Sequence, residues 1–302
     1  MKLSLKFLLC ILAICSFASL LSPIYWLFDL FNHFRIHALL TSILLLVAAL
    51  IFSKKNIALA LFVLIANIIL FFIPLYQSAG ISEISDFDAR QKVKIASANV
   101  FTANKQHQNA IDVITHEAPD VIVLTETNER WVKNFNAVED VYKHSIKHPR
   151  ADNFGMAIYS KLPFQAKILD IGDYHLPLAV LDFENFRLIV AHPIPPMSRN
   201  NMRENKLYLE AIAQNANNQN KPVIISGDLN STLWGEAVKP LFDAGLKRIN
   251  SIGVAYTWPT QMPLFAMQID HFLAKGIAEA DFKVLSNIGS DHYPIVTTIN
   301  LH

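Results

Sequence analysis

The stretch PVIISGDLN, Pro222–Asn230, decides how this chain is read. Val223–Ile225 form an apolar, β-branched run that reads as a buried strand. The run leaves through Gly227, whose missing side chain allows close approach of backbone or ligand. Asp228 and Asn230 follow, and residues two apart in an extended segment face the same way. A carboxylate and an amide are thus aimed together from a strand end. The carboxylate can orient or deprotonate a water, and the amide can donate to an oxyanion or phosphoryl oxygen. The plain alternative is an aspartate capping a helix.

Outward from this point, short β-branched runs alternate with helical stretches. VKIASANV (Val93–Val100), VIVLTE (Val121–Glu126) and FGMAIYS (Phe154–Ser160) read as strands, and KQHQNAIDVITHEAP (Lys105–Pro119) as a helix stopped by proline. LAVLDFENFRLIVAH reads as a hairpin turning at Glu184–Asn185, and about Asn200–Gln214 as a polar helix. QIDHFLA, DFKVLS and YPIVTTINL close the chain. Strands and helices alternate but hairpins are mixed in, which predicts α/β layers with mixed sheets rather than a doubly wound parallel sheet.

In such layers, sites collect where strands end. The polar residues at those ends are Asn99, Glu126, His192, Asp228 with Asn230, Asp270, and Asp291 with His292. Singly, each has an ordinary reading: Asn99 a turn residue, Glu126 a solvated helix start, His192 a loop histidine, Asp270 an exposed strand acid. Asp291 and His292 are neighbours in IGSDHYPIV (Ile288–Val296), and adjacent side chains on a strand point to opposite faces. Both can serve one site only from a strand entrance, where the backbone turns.

Asn99, Glu126, SGDLN, QIDHF and GSDHYP stand in the order found in the endonuclease/exonuclease/phosphatase family, and the chain resembles that family from about Val93 to Leu301. NFGMAIYSKLP (Asn153–Pro163) and TWP (Thr257–Pro259) resemble further segments of it. The resemblance implies a four-layer α/β sandwich of two mixed sheets that hydrolyses phosphate esters with Mg2+ or Mn2+. It implies that Glu126 is the main metal ligand with Asn99 close to it, and that Asp291 is a second metal-side acid. Asp228 would align the attacking water, Asn230 hold the phosphate and His292 contact the scissile phosphate, buttressed by Asp270. His192 resembles the second histidine of the deoxyribonuclease and sphingomyelinase branches. Magnesium is satisfied by one or two carboxylates plus waters and substrate oxygen, which suits so sparse a set. An imidazole flanked by a carboxylate has its pKa raised, so His292 beside Asp270 is expected to be cationic near neutrality. Trp258 is a candidate for stacking on a base or sugar. Arg203 is a candidate phosphate contact, with a solvated helix position as its alternative.

Of the 302 residues, 52% are hydrophobic and only 17% charged, below the quarter usual in soluble domains. The excess lies at the N-terminus. Residues 1–80 hold Lys2, Lys6, Arg35, Lys54 and Lys55 against one acid, Asp29, and contain apolar runs at about Phe7–Leu21, Ala38–Phe52 and Ile57–Tyr76. They are expected to form a transmembrane region of about three helices (1–78), joined by a linker (79–91) to a catalytic domain (92–302). Ser22–His37 is expected to be a short loop. The lysines place the N-terminus and the Lys54–Lys55 turn in the cytoplasm. The catalytic domain then lies outside the inner membrane of a bacterium, and a cleaved first segment would leave it there. Cys10 and Cys15, the only cysteines, both fall in the first apolar run. Residues 81–302 carry 21 basic and 24 acidic residues with no cationic stripe, which argues against a general duplex nuclease. Three functions follow: a nuclease-like phosphodiesterase, the same site acting on a phospholipid or a phosphomonoester, and a catalytically silent binding or envelope module.

Overall fold

The computed structural model describes residues 2–83, 91–217, 220–249 and 254–301. Four helices come first: α1 (Lys2–Ala18), α2 (Trp26–His33), α3 (Arg35–Phe52) and α4 (Ile57–Ser78). Then follow β1 (Gln91–Asn99), α5 (His107–His116), β2 (Val121–Thr125), α6 (Glu129–Phe135), β3 (His144–His148), β4 (Met156–Ser160), β5 (Gln165–Ile171), β6 (Leu176–Asp182) and β7 (Arg187–Val190). The chain closes with α7 (Arg199–Asn217), β8 (Val223–Asp228), α8 (Lys239–Asp243), β9 (Lys247–Arg248), β10 (Asp270–Lys275), β11 (Ala280–Val284) and β12 (Ile295–Leu301).

The strands form two six-stranded sheets, in the orders β11-β12-β1-β2-β4-β3 and β5-β6-β7-β8-β10-β9. In each sheet one central pair is parallel, β1 with β2 and β7 with β8, and the other pairs are antiparallel. Strand periodicity explains the layers. Val93 and Ile95 of β1 and Val121 and Val123 of β2 pack between the sheets against Leu188, Val190 and Ile224, while Ala96, Ala98, Ile122 and Leu124 face α5 and α6. On the second sheet Val223, Ile225 and Leu273 face α7 and α8, whose Tyr208, Leu209 and Leu241 complete a third apolar layer. Central strands buried on both faces need apolar residues at every position, which is why they read as unbroken runs. The result is the four-layer sandwich of two mixed sheets.

Polar edge strands escaped the sequence reading. β3 and β5 are partly exposed along their length, so their side chains carry no apolar signal. Helix α6 begins at Asn128, whose side chain accepts the Trp131 amide at 3.1 Å. The expected loop Ser22–His37 is instead mostly helical: it contains α2 and the start of α3. The physical reason is tertiary. Asp29 accepts the Glu236 amide at 2.9 Å and His33 Nδ1 accepts the Thr232 amide at 3.3 Å, so the polar side of α2 is paired with the two-sheet sandwich. The expected linker, 79–91, falls largely outside the described residues, although the Ser82 amide donates to Ala278 at 2.9 Å. Two helices, Arg35–Phe52 and Lys54–Ser78, are long and apolar enough to cross a membrane, and Leu5–Leu21 is a shorter apolar helix. Asn67, buried within α4, is satisfied by the Val63 carbonyl at 2.9 Å and by the Ser16 hydroxyl at 3.0 Å.

Candidate active site

Strand parity places most of the candidates. Asn99 continues the face of Val93 and Ile95, His192 that of Leu188 and Val190, Asp228 that of Ile224, and Asp270 that of Phe272 and Ala274. All four therefore point into the gap between the sheets, one step beyond the apolar core. Asp228 and Asp270 are direct partners in the β8–β10 register. Glu126 has the wrong parity, since Val121 and Val123 are the residues of β2 that face the gap. Its left-handed backbone, φ 58°, turns the side chain back. Thr102 fixes the turn, donating its hydroxyl to the Glu126 carbonyl at 2.9 Å and its amide to Oε2 at 3.3 Å. At Gly227, φ 140°, a Cβ would lie 2.0 Å from the Ala191 carbonyl oxygen. Only glycine lets β8 approach the end of β7 so closely.

The side chains meet around the Asn99 amide. Its Nδ2 donates to Glu126 Oε1 at 2.9 Å and to Asp228 Oδ2 at 3.1 Å, and lies 3.4 Å from His292 Nε2. Asp228 Oδ2 is 3.5 Å from His192 Nε2 and 3.7 Å from His292 Nε2. Asp270 Oδ2 is 2.9 Å from His292 Nδ1. Asp291 accepts the Trp258 indole N–H at 3.2 Å, so neighbouring Asp291 and His292 address different partners from the turn before β12. Asn230, φ 49°, donates its backbone N–H to Asp228 at 2.8 Å and its side-chain amide to the Pro193 carbonyl at 2.9 Å.

Burial opposes protonation of His292, but the charges of Asp270 and then Asp228 outweigh it and hold the imidazole up to about 10. Burial likewise opposes His192, yet its bond to Asp228 and the charges of Asp228 and Glu126 raise it. Burial would push Asp228 up, but the His292 charge and the His192 contact bring it down to about 2. The site is thus a carboxylate flanked by two imidazoles that it biases toward their protonated forms. His292 contributes its full stability below the unfolded value of 6.5 and loses it as pH rises through about 10. In chelator-treated protein, NMR titration of His292 should show a midpoint near 10, falling by more than one unit in Asp270→Asn. A midpoint near 6.5 in the unaltered protein would refute the buttressing role of Asp270.

These groups floor a cleft of about 550 Å3. Glu126, His192, Asp228, Asn230, Trp258, Asp291 and His292 line it; Asn99 and Asp270 sit behind them. Arg203 is not brought there: its guanidinium pairs with Asp173 and with Glu204. No lysine or arginine lines the cleft among the described residues. Sequence reading missed several positioning groups. Ser290 bonds the Asn99 carbonyl at 2.8 Å and accepts the His292 amide at 3.1 Å. Thr257 Oγ1 accepts the amides of Ile269 and Asp270 at 3.2 and 3.3 Å. The Tyr208 hydroxyl accepts the His192 amide at 3.2 Å. Ser290 and Thr257 carry no signal beyond being the first residues of SDH and TWP, and Tyr208 carries none. Also missed were Leu30, His33 and Phe34, which form one wall of the cleft.

Among the described residues, one cluster of acids and histidine lies close enough to hold a metal. Asp228, Asp270 and His292 offer atoms within 4.8 Å of one another. That trio is better read as filled by a proton, since a protonated histidine has no lone pair for a metal. Glu126 and Asp291 also line the cleft, which has no lysine or arginine among the described residues, and carboxylate oxygens are the donors that a hard divalent ion takes.

Comparison with known proteins bears on the family and the fold. The model of the Endonuclease/Exonuclease/phosphatase family matches residues 96–292. Among solved structures, TDP2 from C. elegans superimposes with a TM-score of 0.58 at 16% identity, covering 89% of this chain and 93% of that one. TDP2 of D. rerio complexed with single strand DNA product gives 0.57 at 18% identity, covering 70% and 100%. The beta toxin of Staphylococcus aureus gives 0.53 at 17%, covering 68% and 99%. No curated protein sequence matches the chain.

Proposed function

Because the chain belongs to the endonuclease/exonuclease/phosphatase family, we propose that it is a divalent-metal-dependent phosphodiesterase, held in a membrane by its N-terminal helices and acting on the non-cytoplasmic side. The observation that carries this reading is the buried Asp228 carboxylate flanked by His192 and His292 at the floor of an open cleft. Hydrolysis joins a water oxygen to phosphorus, breaks the phosphorus–oxygen bond to the leaving alcohol, and passes one water proton to the departing oxygen. A carboxylate as acidic as Asp228 is a weak base, so it orients the water and accepts its proton only as the new bond forms. His292 and His192 donate to phosphoryl oxygens and offset the charge that develops there. Asn230 and Asn99 hold the phosphate and the Glu126 carboxylate in register. A divalent ion on Glu126, with Asp291 and Asn99 alongside, would supply further positive charge to the phosphate oxygens.

Membrane attachment is supported by how the helices meet the domain. Only 17% and 22% of the most apolar windows of Arg35–Phe52 and Lys54–Ser78 are buried, unlike the core helices of a soluble domain. Ser22, Asp29, His33 and His37 contact the catalytic domain near one end of α1 and α3, and the Gln77 carbonyl does so near the end of α4. Lys2, Lys6, Lys54 and Lys55 stand at the opposite helix ends, the cytoplasmic side by the positive-inside rule. Nucleic acid is the second reading, favoured by the DNA product held by the D. rerio relative. The absence of lysine and arginine from the described cleft lining counts against a polyanion.

The test uses the full chain in detergent. Hydrolysis of bis(p-nitrophenyl) phosphate should require Mg2+ or Mn2+, stop with chelator, and fall at least a hundredfold in Glu126→Gln, on the order expected for a lost electrostatic group. Equal, chelator-insensitive turnover in both proteins would sink the assignment. A reporter fused after His302 that works only in the cytoplasm would overturn the topology.

A further inference from the structure

One wall of the cleft is built by the N-terminal region itself. Leu30 of α2 and Phe34, the residue between α2 and α3, line the cleft together with Pro196, Met197, Met267, Ile269 and the catalytic groups. This wall is fixed in place: besides Asp29 and His33, the Ser22 hydroxyl donates to Glu236 at 2.9 Å. Phe34 directly precedes α3, one of the two helices long enough to span a bilayer. Beside it, His37 Nε2 lies 3.0 Å from the Leu264 carbonyl oxygen and its ring stacks on Phe265 at 6.4 Å. Met262, Leu264 and Phe265 form an apolar lip there, with Leu264 84% exposed. Such a lip is costly in water and stable in the interfacial layer of a bilayer.

We propose, resting on the phosphate-ester hydrolase reading, that the substrate is a membrane lipid. Its phosphate ester sits on the Asp228–His192–His292 floor, and its hydrocarbon tail runs along the Leu30–Phe34 wall to the bilayer. Three observations converge on this occupant. The cleft is continuous with the catalytic groups, its other lining residues are mostly apolar (His33, Asp152 and Asn153 being the polar ones) with no lysine or arginine among the described residues, and Phe34 adjoins an apolar helix of spanning length. An amphiphile matches both halves of the cleft, whereas a polyanion matches only its floor. Leu30 and Phe34 are then specificity-determining residues supplied by the anchor.

The experiment measures kcat/KM of the full chain in mixed micelles for two esters with one leaving group, methyl p-nitrophenyl phosphate and hexadecyl p-nitrophenyl phosphate. The readout is the long-to-short ratio. It should exceed tenfold in the unaltered protein and fall about tenfold in Leu30→Ser/Phe34→Ser; comparing variants in identical micelles cancels partitioning of the long ester. Met197→Ser, at another apolar lining residue that is itself exposed, should move the ratio the same way and covers the case in which the double variant fails to fold. A ratio unchanged by folded variants, with chelator-sensitive turnover of the methyl ester intact, overturns the lipid inference alone. Turnover of a single-stranded oligonucleotide above that of both esters does the same in favour of nucleic acid. Failure to hydrolyse either ester or the oligonucleotide overturns the hydrolase reading with it.

Discussion

Replacing Asp228 by asparagine should lower phosphodiester hydrolysis roughly a thousandfold, about 4 kcal/mol of transition-state stabilisation. The substitution keeps volume and shape, so the expected loss is chemical. Asp228 is 2% exposed, and its Oδ2 is the point that Asn99, His192 and His292 share. Its charge does two things there. In the proposed mechanism it orients the attacking water, and it holds both imidazoles above their ordinary pKa values. Removing it leaves His292 supported by Asp270 but His192 only by Glu126, whose Oε1 is 4.0 Å away. His192 should therefore titrate lower in the variant, a change visible by NMR that a merely structural defect would not produce. Activity within tenfold of the unaltered protein, with the fold intact, would exclude Asp228 as the water-aligning group.

Trp234→Ala should lower the thermal midpoint of the full chain by roughly 10 °C. Truncating a buried tryptophan costs about 3–5 kcal/mol, and 1 kcal/mol is worth about 2–4 °C in a domain of 150–250 residues. Trp234 belongs to the catalytic domain yet is buried by α4: its ring stacks on Phe71 at 5.1 Å and its indole N–H donates to the Phe71 carbonyl at 2.9 Å. Phe71 and Leu75 join the same apolar layer as Tyr208 and Leu241. A melt in detergent followed by circular dichroism reads the effect. A shift below about 2 °C would mean that the helices and the catalytic domain are energetically independent, contrary to the shared core.

The alternation of runs and turns was enough to predict α/β layers with mixed sheets, because strands buried on both faces must be apolar throughout and so announce themselves, whereas the number of sheets came from the family resemblance. Edge strands β3 and β5 are half solvated, and half-solvated strands of ordinary composition look like loops. Among the site residues, Asn99, His192, Asp228 and Asp270 could be aligned from the period of two alone, since each continues the inward face of its own strand. Glu126 could not, because its direction depends on a left-handed turn that no local residue demands. Thr102, Ser290, Thr257 and Tyr208 position the site through bonds between distant segments, and such bonds leave no trace in spacing.

The N-terminal region shows the same division. Its apolar runs were sufficient to mark candidate spans, because hydropathy acts residue by residue, and its lysines supplied the orientation that the proposed topology takes. The sequence also contained the chemistry: two histidines, the acids and an asparagine at strand ends. Only the tertiary structure decided that an expected loop is helix α2, that Asp29 and His33 pair it to the catalytic domain, and that Leu30 and Phe34 become a wall of the cleft. Those outcomes depend on contacts across about two hundred residues of chain, made when two apolar layers close around a shared tryptophan, and no local pattern encodes such a meeting.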